Sequence, residues 1–189
     1  IVLGSRVTGA AMTDHPTPEL VAIPGSVRAG MEVAKSAIET MKRTHLELGG
    51  KAPAVVFADA NIQQAAEGIA SAAFFNGGQD CTAATRVIVH ESVHDEFVAA
   101  IKAHVEANVT TGAPDQGAFY GPMNNDRQYA SVLGMLERLP EHAVIVTGGK
   151  ANDGAGYFIE PPVVDNMRQD DEAVQEAILG PGLTVPAFS

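Results

Sequence analysis

Residues 54–89 read AVVFADANIQQAAEGIASAAFFNGGQDCTAATRVIV, and their order decides the fold class. Ala54-Val55-Val56-Phe57 is a short, wholly apolar run, the pattern of a strand buried within a parallel sheet. From Asn61 the spacing becomes helical, with Ile62, Ala65, Ala66, Ile69 and Ala73 on one stripe that Gly77-Gly78 stops. Beyond a loop through Cys81, Arg86-Val87-Ile88-Val89 is a second short strand. Strand, helix and strand in succession build a parallel sheet, so the stretch predicts an α/β protein.

The pattern continues on both sides. Downstream, Ser92-Val93-His94-Asp95 reads as a variant capping box opening a helix that turns Phe97, Ile101 and Val105 inward. Turn residues follow at Gly112-Ala113-Pro114-Asp115. Then come a helix over Asp126 to Leu139, a strand over Ala143 to Val146, a loop at Gly154 to Gly156, and a strand Tyr157-Phe158-Ile159 ending at Pro161-Pro162. Upstream, Val21-Ala22-Ile23 is a strand, and Ser26 caps a helix carrying Val27, Met31, Ala34 and Ile38 at helical spacing. Thr44-His45-Leu46-Glu47-Leu48 alternates as a strand with Glu47 opposite Leu46 and Leu48. Gly49-Gly50 then permits a hinge, which divides the chain into residues 1–49 and 50–189.

Composition narrows the class of function. The chain has 189 residues, 46% of them hydrophobic, enough for a buried core. A net charge of −11 argues against nucleic acid and anionic lipid as partners. No apolar run approaches the roughly 20 residues of a membrane-spanning helix. Ile1-Val2-Leu3 lacks the cationic flank and length of a secretory signal. One cysteine gives no sign of an oxidising compartment, which points to the cytoplasm. The chain begins without methionine and ends directly after an apolar stretch, so a fragment is expected.

Four features bear on chemistry. Cys81 follows Asn76-Gly77-Gly78-Gln79-Asp80; a lone thiol there is either a nucleophile or a small packing residue. Glu47 stands among apolar neighbours before two glycines, either as a general base or as a solvated strand-end charge. Gly25-Ser26 joins a strand to a helix, which suits a phosphate on helix N–H groups and equally an ordinary serine cap. His90-Glu91-Ser92-Val93-His94 matches the zinc-protease pattern H-E-x-x-H, which needs both imidazoles on one helical face. Here His90 ends a strand and the helix starts after it. The other histidines show no ligand spacing, so no metal site is expected.

Leu46-Glu47-Leu48-Gly49-Gly50-Lys51 and Phe75-Asn76-Gly77-Gly78-Gln79-Asp80-Cys81-Thr82 together resemble the glutamate and cysteine signatures of the aldehyde dehydrogenase superfamily. The likeness extends from about Gly9 to Phe188. Lys42 to Pro53 and Gly78 to Ala84 are most similar to the 4-aminobutyraldehyde dehydrogenases. The resemblance implies the end of a Rossmann-type cofactor domain over 1–49, followed by a truncated catalytic domain with a parallel-rich sheet flanked by helices. It implies NAD-dependent oxidation of a small aldehyde to its carboxylate, through a thiohemiacetal and thioester on Cys81, with Glu47 activating water. Gly25 and Ser26 would lie near the cofactor pyrophosphate, Leu48 and Gly49 near the nicotinamide. The parent enzyme would be a dimer or tetramer of identical chains.

Two departures accompany the likeness. Pro24 stands where the family usually has threonine, and Ala177 where a glutamate usually holds the nicotinamide ribose. The first part of the cofactor domain is missing, with the asparagine that completes the oxyanion site. The 189-residue chain alone is therefore expected to be nearly inactive. The competing reading is a non-catalytic remnant or binding domain that keeps the fold.

Overall fold

The computed structural model describes residues 1–152 and 154–189. It divides into two compact units, Ile1–Gly49 and Gly50–Ser189.

The first unit is a helix followed by one strand–helix–strand crossover. α1 (Arg6–Asp14) has no buried residue and no apolar stripe, which is why sequence patterning passes over it. β1 (Leu20–Gly25) and β2 (Arg43–Leu48) pair in parallel, joined by α2 (Val27–Ile38). Ser26 caps α2, its Oγ accepting from the Ala29 N–H at 3.2 Å. The expected stripe of Val27, Met31, Ala34 and Ile38 does not face inward. Gly30 and Ala37 are buried instead, while Val27, Met31 and Ile38 are exposed. The reason is close packing at Gly30: a Cβ there would stand 2.5 Å from Leu48 Cδ2. Small residues let α2 lie down on β2, and the larger side chains are rotated outward.

The second unit holds a six-stranded sheet in the order β3-β4-β7-β6-β5, with β8 also on β4. Its strands are β3 (Pro53–Val56), β4 (Arg86–His90), β5 (Val144–Thr147), β6 (Val163–Asp165), β7 (Leu183–Val185) and β8 (Ala187–Phe188). All pairings are parallel except β5 with β6. β7 and β8 continue one line along β4, interrupted at Pro186, whose carbonyl accepts from the Val89 N–H at 3.0 Å. Helices α3 (Ile62–Phe74), α4 (His94–Asn108), α5 (Asp126–Glu137) and the single turn α6 (Glu172–Gln175) complete the unit.

Two cores form, one on each face of this sheet. Val163 joins Phe74, Phe97, Ile101, Val87 and Leu183 beneath α3 and α4. Its neighbour Val164 points the other way, into Val132, Met135, Ile159 and Val174 beneath α5 and α6. That alternation makes an α/β sheet covered on both faces.

Three expectations differ in detail. β3 is not buried on both sides: Val56 packs inward, but Val55 and Phe57 are exposed, because β3 is the edge strand and only one of its faces is covered. Tyr157-Phe158-Ile159 is not a strand. Ile159 makes one isolated antiparallel bridge with Ala151, and the prolines after it have no N–H to extend a ladder. The Ser92 capping box does not form either. His90 takes that role, its Nδ1 accepting from the Ser92 N–H at 3.2 Å over a 3₁₀ turn, Glu91–Val93.

One buried charge is unmatched. Lys51 Nζ has no acceptor among the described residues, and neither has Nε of Arg86 at the start of β4. Burial, with the like charge of Arg86, lowers the Lys51 ammonium to about 8 from its usual 10.5. The unfolded chain therefore binds the proton more tightly, and stability rises as pH climbs from about 8 to about 10.5. Thermal melts of the wild type against Lys51→Met should show this: the wild type gains on the variant across that window, and Lys51→Met is the more stable at pH 7, by on the order of 3 kcal/mol at most. Parallel curves for the two proteins would refute the assignment.

Candidate active site

Cys81 sits where α3 gives way to β4, and the path between them is unusual. After Phe74 the backbone enters the left-handed region at Asn76, Gly77 and Gly78, with φ of 52°, 64° and 68°. Glycine and asparagine are the residues that adopt it at least cost. Gly78 is required for a second reason: a Cβ there would lie 2.3 Å from the Gly180 carbonyl oxygen. The loop is thus pressed against residues 178–182, the approach to β7.

Side-chain amides fasten the same contact. Gln79 Oε1 accepts from the Asn124 N–H at 2.8 Å, and its Nε2 donates to the Asn76 carbonyl at 3.0 Å. Gln128 donates to the carbonyls of Ile178 at 2.7 Å and Leu179 at 3.1 Å. Between them opens a surface cavity of about 490 Å³, bordered by Asn76, Gln79, Asn124, Asn125, Gln128 and Leu179. None of these side chains is charged, so the cavity suits a neutral, hydroxyl-rich group.

Cys81 itself is exposed, so it is not a packing residue. It occupies the bend of a tight turn in which the Ala83 N–H donates to the Asp80 carbonyl at 3.3 Å. Asp80 Oδ1 accepts from the Thr82 N–H and from its hydroxyl, both at 2.9 Å. Those bonds, the Thr82 N–H foremost, hold the Asp80 carboxyl below the usual carboxylate range, with burial opposing them and the Cys81 S–H adding least. A fixed anion therefore stands beside the thiol.

The remaining candidates lie in the first unit. Gly25, Ser26, Leu48 and Gly49 come together at the carboxyl ends of β1 and β2. Gly25 is paired with Leu48, and the Gly49 N–H donates to the Gly25 carbonyl at 3.1 Å. That end of a parallel pair, with a helix starting from it, is where open α/β sheets take ligands. Ser26 Oγ is engaged in the helix cap, as an ordinary cap would be. Glu47, partnered by Pro24 across the pair, is largely exposed and lies 2.9 Å from His45 Nε2. Cys81 belongs to the other unit. The zinc-protease pattern is dismantled by the fold: His90 closes β4 and His94 opens α4. Among the described residues no group of three His, Cys, Asp or Glu side chains is placed to hold a metal ion.

Sequence reasoning missed the Gln79 and Gln128 clasps and the His45 contact. The Asn124-Asn125-Asp126 run carries a partial signal, since Asn125 caps α5 by accepting from the Gln128 N–H at 2.9 Å.

Comparison with known proteins gives these features a family. The sequence profile described as "Aldehyde dehydrogenase family" matches residues 1–189. A mitochondrial aldehyde dehydrogenase of Leishmania tarentolae is 38% identical over 175 residues, covering 92% of this chain and 35% of the relative. A peroxisomal aminoaldehyde dehydrogenase of Pisum sativum is 35% identical over 185 residues, covering 96% and 37% respectively. The crystal structure of betaine aldehyde dehydrogenase from Staphylococcus aureus in complex with NAD+ superposes with a TM-score of 0.94 at 30% identity, covering all of this chain and 38% of that one. The chain spans little more than a third of the length of the curated relatives it matches. It belongs to the aldehyde dehydrogenase family.

The Asp80 carboxylate has a measurable consequence at the sole cysteine. A cationic methanethiosulfonate should modify Cys81 faster than an anionic one, and Asp80→Asn should reduce that ratio by about tenfold at low salt. The difference should shrink as salt is added. Stopped-flow labelling with both reagents checks it; an unchanged ratio in Asp80→Asn would show that the carboxylate does not act on the thiol's surroundings.

Proposed function

We propose that this chain carries the catalytic cysteine and the water-activating glutamate of an NAD-dependent aldehyde dehydrogenase. In this reading Ile1–Gly49 is the end of the cofactor domain and Gly50–Ser189 most of the catalytic domain. The observation that supports it most is the exposed Cys81, held at the bend of a hydrogen-bonded turn rather than packed as an apolar residue. A nucleophile needs that access and that fixed direction.

The residues present are compatible with the cofactor. Gly25 and Ser26 lead into a helix N-terminus at the carboxyl end of β1, suited to a pyrophosphate, with Leu48 and Gly49 beside them. The uncharged amide-lined cavity suits a ribose. When bound, NAD supplies the acceptor for hydride.

The chain's own residues do the rest. Cys81 Sγ adds to the aldehyde carbon and its proton leaves to solvent. The backbone N–H of Cys81 donates to the resulting oxyanion. Loss of hydride leaves a thioester on Cys81. Glu47 takes a proton from water, the hydroxide adds to the thioester carbon, and the C–S bond breaks to release a carboxylic acid and the Cys81 thiolate.

The substrate we propose is a small amine-bearing aldehyde such as 4-aminobutyraldehyde. The Asp80 carboxylate beside the thiol favours a cation, and two relatives are named for aminoaldehyde and betaine aldehyde. We place the protein in the cytoplasm, as a homo-oligomer without nucleic-acid or membrane partners. Among the described residues no helix is long and apolar enough to cross a membrane.

The test is NADH formation from 4-aminobutyraldehyde by a chain completed to the length of its relatives. Cys81→Ser should abolish it, and Glu47→Gln should slow turnover by roughly 100-fold or more while leaving acylation of Cys81 intact. The 189-residue chain alone should give little or no NADH. Activity that survives Cys81→Ser would end the proposal, and a completed chain that binds no NAD would favour a non-catalytic remnant.

A further inference from the structure

We infer that His45 is a positioning residue for Glu47, holding one carboxylate oxygen so that the other is presented to water. The inference rests on the role proposed above for Glu47. Strand alternation places Arg43, His45 and Glu47 on one face of β2, and the His45 Nε2 stands 2.9 Å from Glu47 Oε1. The adjacent strand contributes Leu20, Ala22 and Pro24, the register partners of those three residues, and none of them titrates. α2 packs on the opposite face through Gly30 against Leu48, so its charged side chains, Arg28, Glu32 and Lys35, do not face the pair. α1 bears Arg6 and Asp14, and Asp14 is taken by the Ser36 hydroxyl. Arg43 is the other charged side chain of β2 on the face that His45 and Glu47 share.

The consequence for catalysis follows from geometry. A glutamate with about two-thirds of its side chain exposed samples many rotamers, and each misdirected one is unproductive for proton abstraction. An imidazole N–H donated to Oε1 restricts that sampling and leaves Oε2 free as the base. Neutral imidazole in its Nε2–H form and imidazolium both supply that donor. Deacylation, the step in which Glu47 acts, is where His45 is felt; attack by Cys81 is not.

The experiment separates the two steps. With p-nitrophenyl acetate, the burst reports acylation of Cys81 and the steady phase reports hydrolysis of the acyl group. His45→Leu should slow the steady phase roughly tenfold with the burst unchanged. His45→Gln, whose Nε2–H can replace the imidazole donor, should recover most of that loss. In a Glu47→Gln background, His45→Leu should have no further effect. A His45→Leu loss that persists in Glu47→Gln, or that Gln does not recover, would overturn the inference. One measurement on the 189-residue chain needs no turnover: the Glu47 carboxyl ¹³C resonance should move in His45→Leu and much less in His45→Gln. Its failure to move in His45→Leu would refute the pair itself, whereas absence of a burst counts against the proposed role of Cys81 and leaves this resonance to decide.

Discussion

The approach of Gly78 to the Gly180 carbonyl is the contact on which the second unit's arrangement depends. It brings the end of α3 against the segment entering β7, two pieces of chain separated by α4, α5 and most of the sheet. No side chain intervenes, so the separation is fixed by backbone alone. The left-handed run Asn76 to Gly78 bends the chain into that contact, and the Gln79 and Gln128 amides hold it from either side. Cys81 inherits its position from this: it is the third residue after the contact, within a turn fastened by Asp80 and Thr82.

Electrostatics divides between the units, with no metal-like cluster among the described residues. In one, a carboxylate held ionised lies beside a thiol; in the other, a carboxylate lies beside an imidazole. The Asp80 carboxylate suits a ligand that brings positive charge with it. The cavity beside Gln79 and Gln128 is lined by amides and carries no charged side chain. Charge is thus placed next to the thiol and withheld from that cavity.

Much of this was legible in the residues. The strand–helix–strand reading of 54–89 was sound because Ile62, Ala66, Ala70, Ala73 and Phe74 are buried in register with Val87 and Val89. The exposed Cys81 loop could be read from its glycines and polar residues. The parts that escaped are those fixed by distant contacts. Val163 to Asp165 and Leu183 to Val185 are three-residue strands, too short for periodicity, and they exist because neighbours on both sides pair with them. The α2 stripe misled because hydrophobic spacing cannot reveal that Gly30 has to meet Leu48. The Gln79 and Gln128 bonds join residues far apart in sequence, where no local pattern records them.

The edge strand β3 has a consequence outside catalysis. Its outer backbone groups have no partner strand, and Val55 and Phe57 lie exposed along it. Such an edge is a template on which a second chain can add. Proline at the first position of β3 blocks one ladder bond only, and no bulge or lysine within the strand turns a neighbour away. The chain's charge of −11 adds a like-charge repulsion between copies at this edge. Near a pI of about 4.8 that repulsion vanishes while the apolar edge remains.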